Sequence, residues 1–348
     1  MARKIGLFNH KGGVSKTTTT FNLGWMLAEL GHTVVLVDAD PQCNLTGIVM
    51  GYRGPTELEE FFEREPSRNL KAGLSPAFES RPRAVQAIEC VPVAGQERLF
   101  LLPGHISLAE YEVSLGIAQE LSATLTTFQN LPGSISFLLD RTAELHKADY
   151  VLIDMSPSLS SINQNLLMTS ENFIVPAAPD FYSVMAMDSL ANIFPKWRRW
   201  AEQAQSFTAF RDADYPFPEV SPKFLGLVIQ NYRPRGGAPA QSFQRWIEQI
   251  DKVATETLLP SLSAAGLLLP PAAYGDCGLD YGYRLASIPD FNSLIATSQE
   301  HHTPVFALTD AQLGSRGVIL REARKSCDAF REMFSRLAER VVCLTRQL

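Results

Sequence analysis

No C-x-x-C pair occurs among the five cysteines, which stand singly at positions 43, 90, 277, 327 and 343, and their odd number argues against a disulfide framework or a zinc finger. A reducing, cytoplasmic compartment is the expectation. No stretch approaches the roughly 18 consecutive apolar residues of a membrane-spanning helix, and the opening MARKIGLFNHKGG has neither the apolar core nor the cleavage site of a signal peptide. No transmembrane segment is expected. An excess of positive charge is also missing. Lys and Arg number 31 against 37 Asp and Glu, leaving −6 over 348 residues, so a polyanion would have to meet a local basic face. Histidines number only six, and His301-His302 reads as a solvated loop pair rather than a ligand set. With 45% hydrophobic and 20% charged residues, the composition excludes disordered, collagen-like and coiled-coil chains.

What is present is an alternation of apolar runs and helical patterns. Residues 3–9 read as a short buried strand, and 16–31 as a helix that stops at Gly31. The run TVVLVD at 33–38 has the near-continuous β-branched character of a strand covered on both faces. Further strands are expected at 149–154, 172–177 and 223–230, with helices near 160–170, 181–201 and 240–258. This predicts an α/β fold: a doubly wound, mostly parallel sheet with helices on both faces, occupying 1–348 as one domain. Residues 51–97, rich in Pro, Gly and charge, read as a surface excursion with one helix at 56–64, and 259–283 as a long loop. The closing segment, about 315–345, reads as a basic amphipathic helix. From 315 onward it carries eight basic and four acidic residues, and Phe330, Phe334, Leu337 and Val341 form a stripe expected to dock on the body.

The block Lys11-Gly12-Gly13-Val14-Ser15-Lys16-Thr17-Thr18 lies between the first strand and the first helix. Backbone N–H groups and a helix N-terminus at such a place can cradle phosphate oxygens. Lys16 would supply a point charge to the β- and γ-phosphates, and the Thr17 hydroxyl is a ligand for Mg²⁺. The carboxyl ends of the next strands carry Asp38, Asp40 and Asp154, oxygen donors suited to magnesium.

This loop resembles the deviant Walker A box, K-G-G-x-G-K-[ST]-[ST], of the ParA/MinD family of P-loop ATPases, with Ser15 standing where the family has glycine. The block Asp38-Ala39-Asp40-Pro41-Gln42, continuing to Thr46, is similar to the D-x-D-P-Q switch segment and points to the ParA branch, while 151–158 resembles the Walker B strand and its D-x-x-P turn. The resemblance implies ATP and Mg²⁺ as cofactors. It implies that Lys11 reaches across a homodimer to the partner's nucleotide, that Asp40 orients the attacking water, and that Asp38 and Asp154 belong to the Mg²⁺ shell. Asn231, with Pro289 and Asp290, looks like the segments that contact adenine.

ParA-like proteins dimerise as an ATP sandwich, coat nonspecific double-stranded DNA on the nucleoid, and are released when a cargo-linked, ParB-like adaptor stimulates hydrolysis. The resemblance therefore implies a slow, partner-stimulated positioning ATPase. Arg198, Arg199, Arg233, Arg235, Arg321 and Arg324 are the candidate DNA contacts, alongside Lys196. A nucleotide-dependent switch docking a protein or membrane, as in the MinD branch, is the second reading. A metabolic or redox P-loop enzyme is the third.

Overall fold

The computed structural model describes residues 2–52, 54–120, 128–235, 238–280 and 282–347. Its strands are β1 (Arg3–Leu7), β2 (Val34–Asp38), β3 (Val91–Pro92), β4 (Leu99–Leu102), β5 (Tyr150–Asp154), β6 (Asn172–Ala177), β7 (Lys223–Tyr232), β8 (Pro234–Arg235), β9 (Ala238–Pro239) and β10 (Arg284–Pro289). Eight of these form one sheet in the order β10-β7-β6-β1-β5-β2-β4-β3, and β8 pairs with β9 in a separate hairpin. Every pairing in the large sheet is parallel except β3 with β4 at the edge. This is the doubly wound α/β architecture expected from the sequence.

The apolar strands are continuous because both faces are covered. On β2, Val35 and Val37 enter one core with Leu138, Val151 and Phe173, while Val34 and Leu36 enter the other with Leu23, Leu27 and Leu152. Parallel pairing then aligns the strand ends: Leu7 lies opposite Asp154, and Asp38 opposite Asp154, so the carboxyl ends of β1, β2 and β5 open on one edge. The helix Lys16–Glu29 starts above that edge. The C-terminal helix, Gly317–Thr345, buries Phe330, Phe334, Leu337 and Val341 in the second core, as its spacing predicted.

Three expectations change. Residues 51–97 are not a surface excursion: besides the helix Pro55–Arg64 they form a second, Leu70–Phe78, and Leu70, Leu74, Val85, Ile88 and Cys90 are buried in the first core. Pro, Gly and charge dominate the segment's composition, but Leu70 and Leu74 fall on one helix face and join the first core beside the helix Leu131–His146. Residues 259–283 are not a long loop, for the helix that begins at Gln241 runs on through a π turn at Ala254–Leu258 to Ala264, and the helix Pro271–Asp276 follows, opened by a proline whose missing N–H costs nothing there. The cysteines are not all single either. Cys277 and Cys343 form a disulfide between the end of the helix Pro271–Asp276 and the last turn of the C-terminal helix, across 66 residues of sequence. Spacing along the chain carries no sign of such a pair.

If 70–78 is core, Leu74→Ala removes buried methyl groups and is expected to cost about 2–5 kcal/mol in urea denaturation. The same change at Leu145, which is 54% exposed, is expected to stay within about 0.5 kcal/mol. Equal small effects at both positions would return 51–97 to the surface.

Candidate nucleotide-binding site

Residues 8–15 turn from β1 into the first helix, and the turn is braced from inside. Asn9, fully buried, donates from Nδ2 to the Pro176 carbonyl at 2.8 Å and accepts the Lys11 N–H at 3.0 Å. Gly13 sits at φ +72° and Ser15 at φ +57°, the left-handed region that reverses the chain. Curled in this way, the loop aims two carbonyls inward, and Lys16 Nζ donates to those of Asn9 at 3.0 Å and Lys11 at 3.3 Å. Burial lowers the Lys16 pKa, opposed by Asp154 and Asp40. Burial, and then the Lys16 charge, also lower that of His10. Above the loop opens a cavity of about 580 Å³ lined by residues 12–18, Asp40, Asn231 and others, a volume in the range of small-ligand sites. A recess of about 770 Å³ adjoins it, sharing Gln42, Asn44, Ile48 and Gln299.

The three carboxylates differ in their surroundings. Asp38 is fully buried, and its Oδ2 accepts both the Thr46 N–H and the Thr46 hydroxyl at 2.7 Å, while Oδ1 takes the Asp40 N–H at 3.3 Å. Gly104 closes the space behind it, since a Cβ there would come within 2.9 Å of the Asp38 carbonyl oxygen, and its N–H binds the Thr46 hydroxyl at 3.0 Å. Asp38 thus anchors the helix Asn44–Met50 to β2 rather than standing open to a metal, a correction to its expected role. Desolvation pushes its pKa up to about 6 despite the Thr46 bonds.

Asp154 is the opposite case. Both of its oxygens are buried without a hydrogen-bond partner, and desolvation, then Asp38, hold its pKa well above the usual carboxylate range, opposed by the Thr17 hydroxyl and Lys16. Asp40 is held by the Gln42 N–H at 2.9 Å on Oδ1 and lines the cavity.

An orphaned carboxylate beside a threonine hydroxyl and a lysine fits a magnesium nucleotide. Among the described residues no group of three or more His, Cys, Asp or Glu side chains is arranged to hold a metal. Magnesium commonly takes one or two protein oxygens and leaves the rest of its shell to water and phosphate.

Lys11 is the only residue of the 11–18 block that does not line the cavity. Its Nζ donates to Asp180 Oδ2 at 2.5 Å and Ser183 Oγ at 3.2 Å. Asp180 was not a candidate from sequence, although its signal is legible: as N-cap of the helix Phe181–Ser206 it accepts the Ser183 N–H at 2.8 Å, the D-x-x-S pattern of a helix start. Thr46 was likewise missed as the partner of Asp38. Asn231, at the end of β7, lines the cavity, whereas Pro289 and Asp290 do not, although Asp290 N–H bonds the Tyr232 carbonyl beside Asn231 at 2.9 Å.

The basic candidates divide. Arg198 is tied to Glu202 at 3.0 Å and to the Val220 carbonyl, and Arg324 to Asp310 and the Leu308 carbonyl, so neither guanidinium is free. Arg199 and Arg321 are exposed, as is Arg233, which has only a 3.8 Å approach to Asp290. The side chain of Arg235 lies outside the described residues. His302 is not solvated as expected: its Nδ1 is 2.9 Å from the Ile48 carbonyl oxygen, which seats it against the helix Asn44–Met50.

Folding raises the Asp38 pKa from 3.8 to about 6, so the ionised group costs stability above pH 6, and that cost fades as pH falls from 6 toward 3.8. Asp38→Asn removes that anion but must turn its amide nitrogen onto the Asp40 or Thr46 N–H, so its effect is read in the pH dependence: the mutant-minus-native stability is expected to be about 2 kcal/mol more favourable at pH 7.5 than at pH 4.5. Urea denaturation at both values checks this, and a mutant-minus-native difference independent of pH would contradict the buried anion.

A family model described as an AAA domain matches residues 2–204. An uncharacterized protein of Mycobacterium tuberculosis is 30% identical over 275 residues, 76% of this chain and 71% of that protein. The chromosome-partitioning ATPase Soj of Thermus thermophilus is 31% identical over 188 residues, 54% of this chain and 59% of that protein. Among solved structures, pNOB8 ParA bound to nonspecific DNA shares the fold with a TM-score of 0.57 at 16% identity, over 99% of each chain. The septum site-determining protein MinD of Pyrococcus horikoshii, complexed with Mg-ADP, does so with a TM-score of 0.52 at 16% identity, over 98% of this chain and 96% of that one. With the glycine loop at the head of the first helix, and Asp40 and Asp154 at neighbouring strand ends, the chain belongs to the ParA/MinD family of P-loop ATPases.

Proposed function

We propose that the chain is a ParA-type positioning ATPase. It binds ATP with Mg²⁺ in the cavity above the glycine loop, pairs with a second copy across the nucleotides, and in that state holds duplex DNA without sequence preference. Hydrolysis stimulated by a cargo-linked, ParB-like adaptor then releases it, so that a plasmid, chromosome or other cargo is moved or placed over the nucleoid. The observation that carries the reading is the separation of two lysines five residues apart in sequence: Lys16 lines the cavity, and Lys11 is turned away from it onto Asp180. The Asp180 side chain is 42% exposed and that of Lys11 16%, so the pair is open to solvent on the carboxylate's side, where a phosphate of a second copy's nucleotide can compete for the lysine.

Placement supports the remaining roles. The loop N–H groups and Lys16 take the phosphates, and Asn231 faces the base, with Pro289 and Asp290 behind it. Thr17 and Asp154 are the oxygen donors for Mg²⁺, which when bound would neutralise charge on the phosphates. Asp40, restrained by Gln42 on one oxygen, orients the attacking water with the other. Exposed Arg199, Arg233 and Arg321, with Lys196, supply the phosphate contacts to DNA. The likeness to Soj and to a DNA-bound ParA supports this assignment.

Binding to nonspecific duplex DNA across a salt series tests it, comparing no nucleotide, ADP, ATP and a nonhydrolysable ATP analogue. Binding is expected only with triphosphate, to weaken as salt rises, and to vanish in Lys11→Ala. Duplex DNA ignored in every state, while ATP still dimerises the protein, would discard the DNA arm and leave a protein- or membrane-docking switch. Lys16→Ala separates the two lysines. It is expected to weaken ATP binding itself by roughly tenfold or more, as loss of a charge-assisted contact does, whereas Lys11→Ala keeps monomer affinity within about twofold by isothermal titration because its ammonium faces away from the cavity.

A further inference from the structure

Ser15 is the N-cap of the helix Lys16–Glu29, and a serine in that place ordinarily turns its hydroxyl onto an N–H of the first helical turn. Here it makes no such bond. It adopts φ +57°, a conformation unfavourable for any residue with a Cβ, and its Oγ accepts Asn231 Nδ2 at 2.7 Å instead. Asn231 is itself left-handed, at φ +61°. The neighbouring Gln230, fully buried, donates from Nε2 to Thr19 Oγ1 and, at 3.4 Å, to the Ser15 carbonyl. The end of β7 is thereby stapled to the first turn of the phosphate-loop helix at successive residues. The outer of these staples joins two side chains that line the same cavity.

We propose that Ser15 is a positioning residue for the nucleotide base, acting through Asn231. The inference rests on the nucleotide reading above. An exposed asparagine at a strand end samples several rotamers, and ordering it on binding costs free energy. With one amide hydrogen given to Ser15, the Asn231 amide is held at the rim, and its Oδ1 and second N–H are presented together. That acceptor and donor pair suits a base edge with an amino group beside a ring nitrogen, as adenine has. The hydroxyl at position 15 thus orders the base reader before ligand arrives, while the first-turn N–H groups, not capped by it, stay open to phosphate.

The proposal separates the base from the phosphates, and the test does the same. Affinities for Mg-ATP and for magnesium tripolyphosphate, which has no base, are measured by isothermal titration in the full chain and in Ser15→Ala, Ser15→Gly, Asn231→Ala and the double variant Ser15→Ala/Asn231→Ala. The Gly variant relieves the left-handed strain, so the comparison stands even if the Ala variant folds poorly. Both position-15 variants are expected to weaken ATP binding roughly fivefold, the loss of one hydrogen bond, and to leave tripolyphosphate binding within about twofold. Asn231→Ala is expected to match them, and the double variant to add nothing, because the two residues act as one unit. Equal losses for ATP and tripolyphosphate at position 15, unchanged ATP affinity, or additive effects in the double variant would overturn the role of Ser15 and leave the nucleotide site standing. A native chain that binds neither ligand would overturn both.

Discussion

Asp38 and Asp154 lie opposite one another at the ends of adjacent parallel strands, both buried, and two like charges in a low-dielectric interior repel and are costly to desolvate. Most of what surrounds them answers that cost. Asp38 is compensated by the Thr46 hydroxyl and two backbone N–H groups, which binds the helix Asn44–Met50 to the sheet edge and holds the segment carrying Asp40 under the cavity. Asp154 has no hydrogen bond of good geometry, and only the nearby Thr17 hydroxyl and the Lys16 charge ease its burial. One carboxylate is therefore structural and the other stays available to a cation.

Lys16 passes the constraint on to the loop. A buried ammonium needs acceptors, and it finds the carbonyls of Asn9 and Lys11, which point inward only because the chain reverses at Gly13 and Ser15. The same curl turns Lys11 outward, where the helix-capping carboxylate of Asp180 receives it. Two lysines in one short block thus acquire opposite surroundings from one backbone path.

Charge elsewhere is largely committed. The C-terminal helix has a local excess of basic residues, yet Arg324 is bound to Asp310, Arg331 to Glu29, and Arg340 to the carbonyls of Gly278, Arg284 and Leu285. Those three dock the helix on the body, Lys325 and Arg336 pair with Glu322 and Glu332 along the helix itself, and Arg316, Arg321 and Arg346 are exposed. Among the described residues no helix is long and apolar enough to cross a membrane.

Five strands of the large sheet (β1, β2, β5, β6 and β7), the first helix, the phosphate loop and the C-terminal stripe were legible from sequence because each depends on local periodicity or on a contiguous motif, whereas the short β3 and β4 and the edge strand β10 were not foreseen. Asp40 and Asp154 were found for the same reason, each standing next to its strand's end. The core role of Leu70 and Leu74 was hidden by a polar composition around them, and the Cys277–Cys343 pair by its sequence separation of 66. The sequence by itself determined the sheet, its open edge and a phosphate-binding loop on that edge. Only tertiary structure decided that Asp38 is occupied by Thr46 and Asp154 is not, that Lys11 faces Asp180, and that Ser15 meets Asn231 from 216 residues away. These are pairings between strand ends and loops, and they form only once parallel register brings distant segments to one edge, where burial makes each unpaired polar atom costly enough to select its partner.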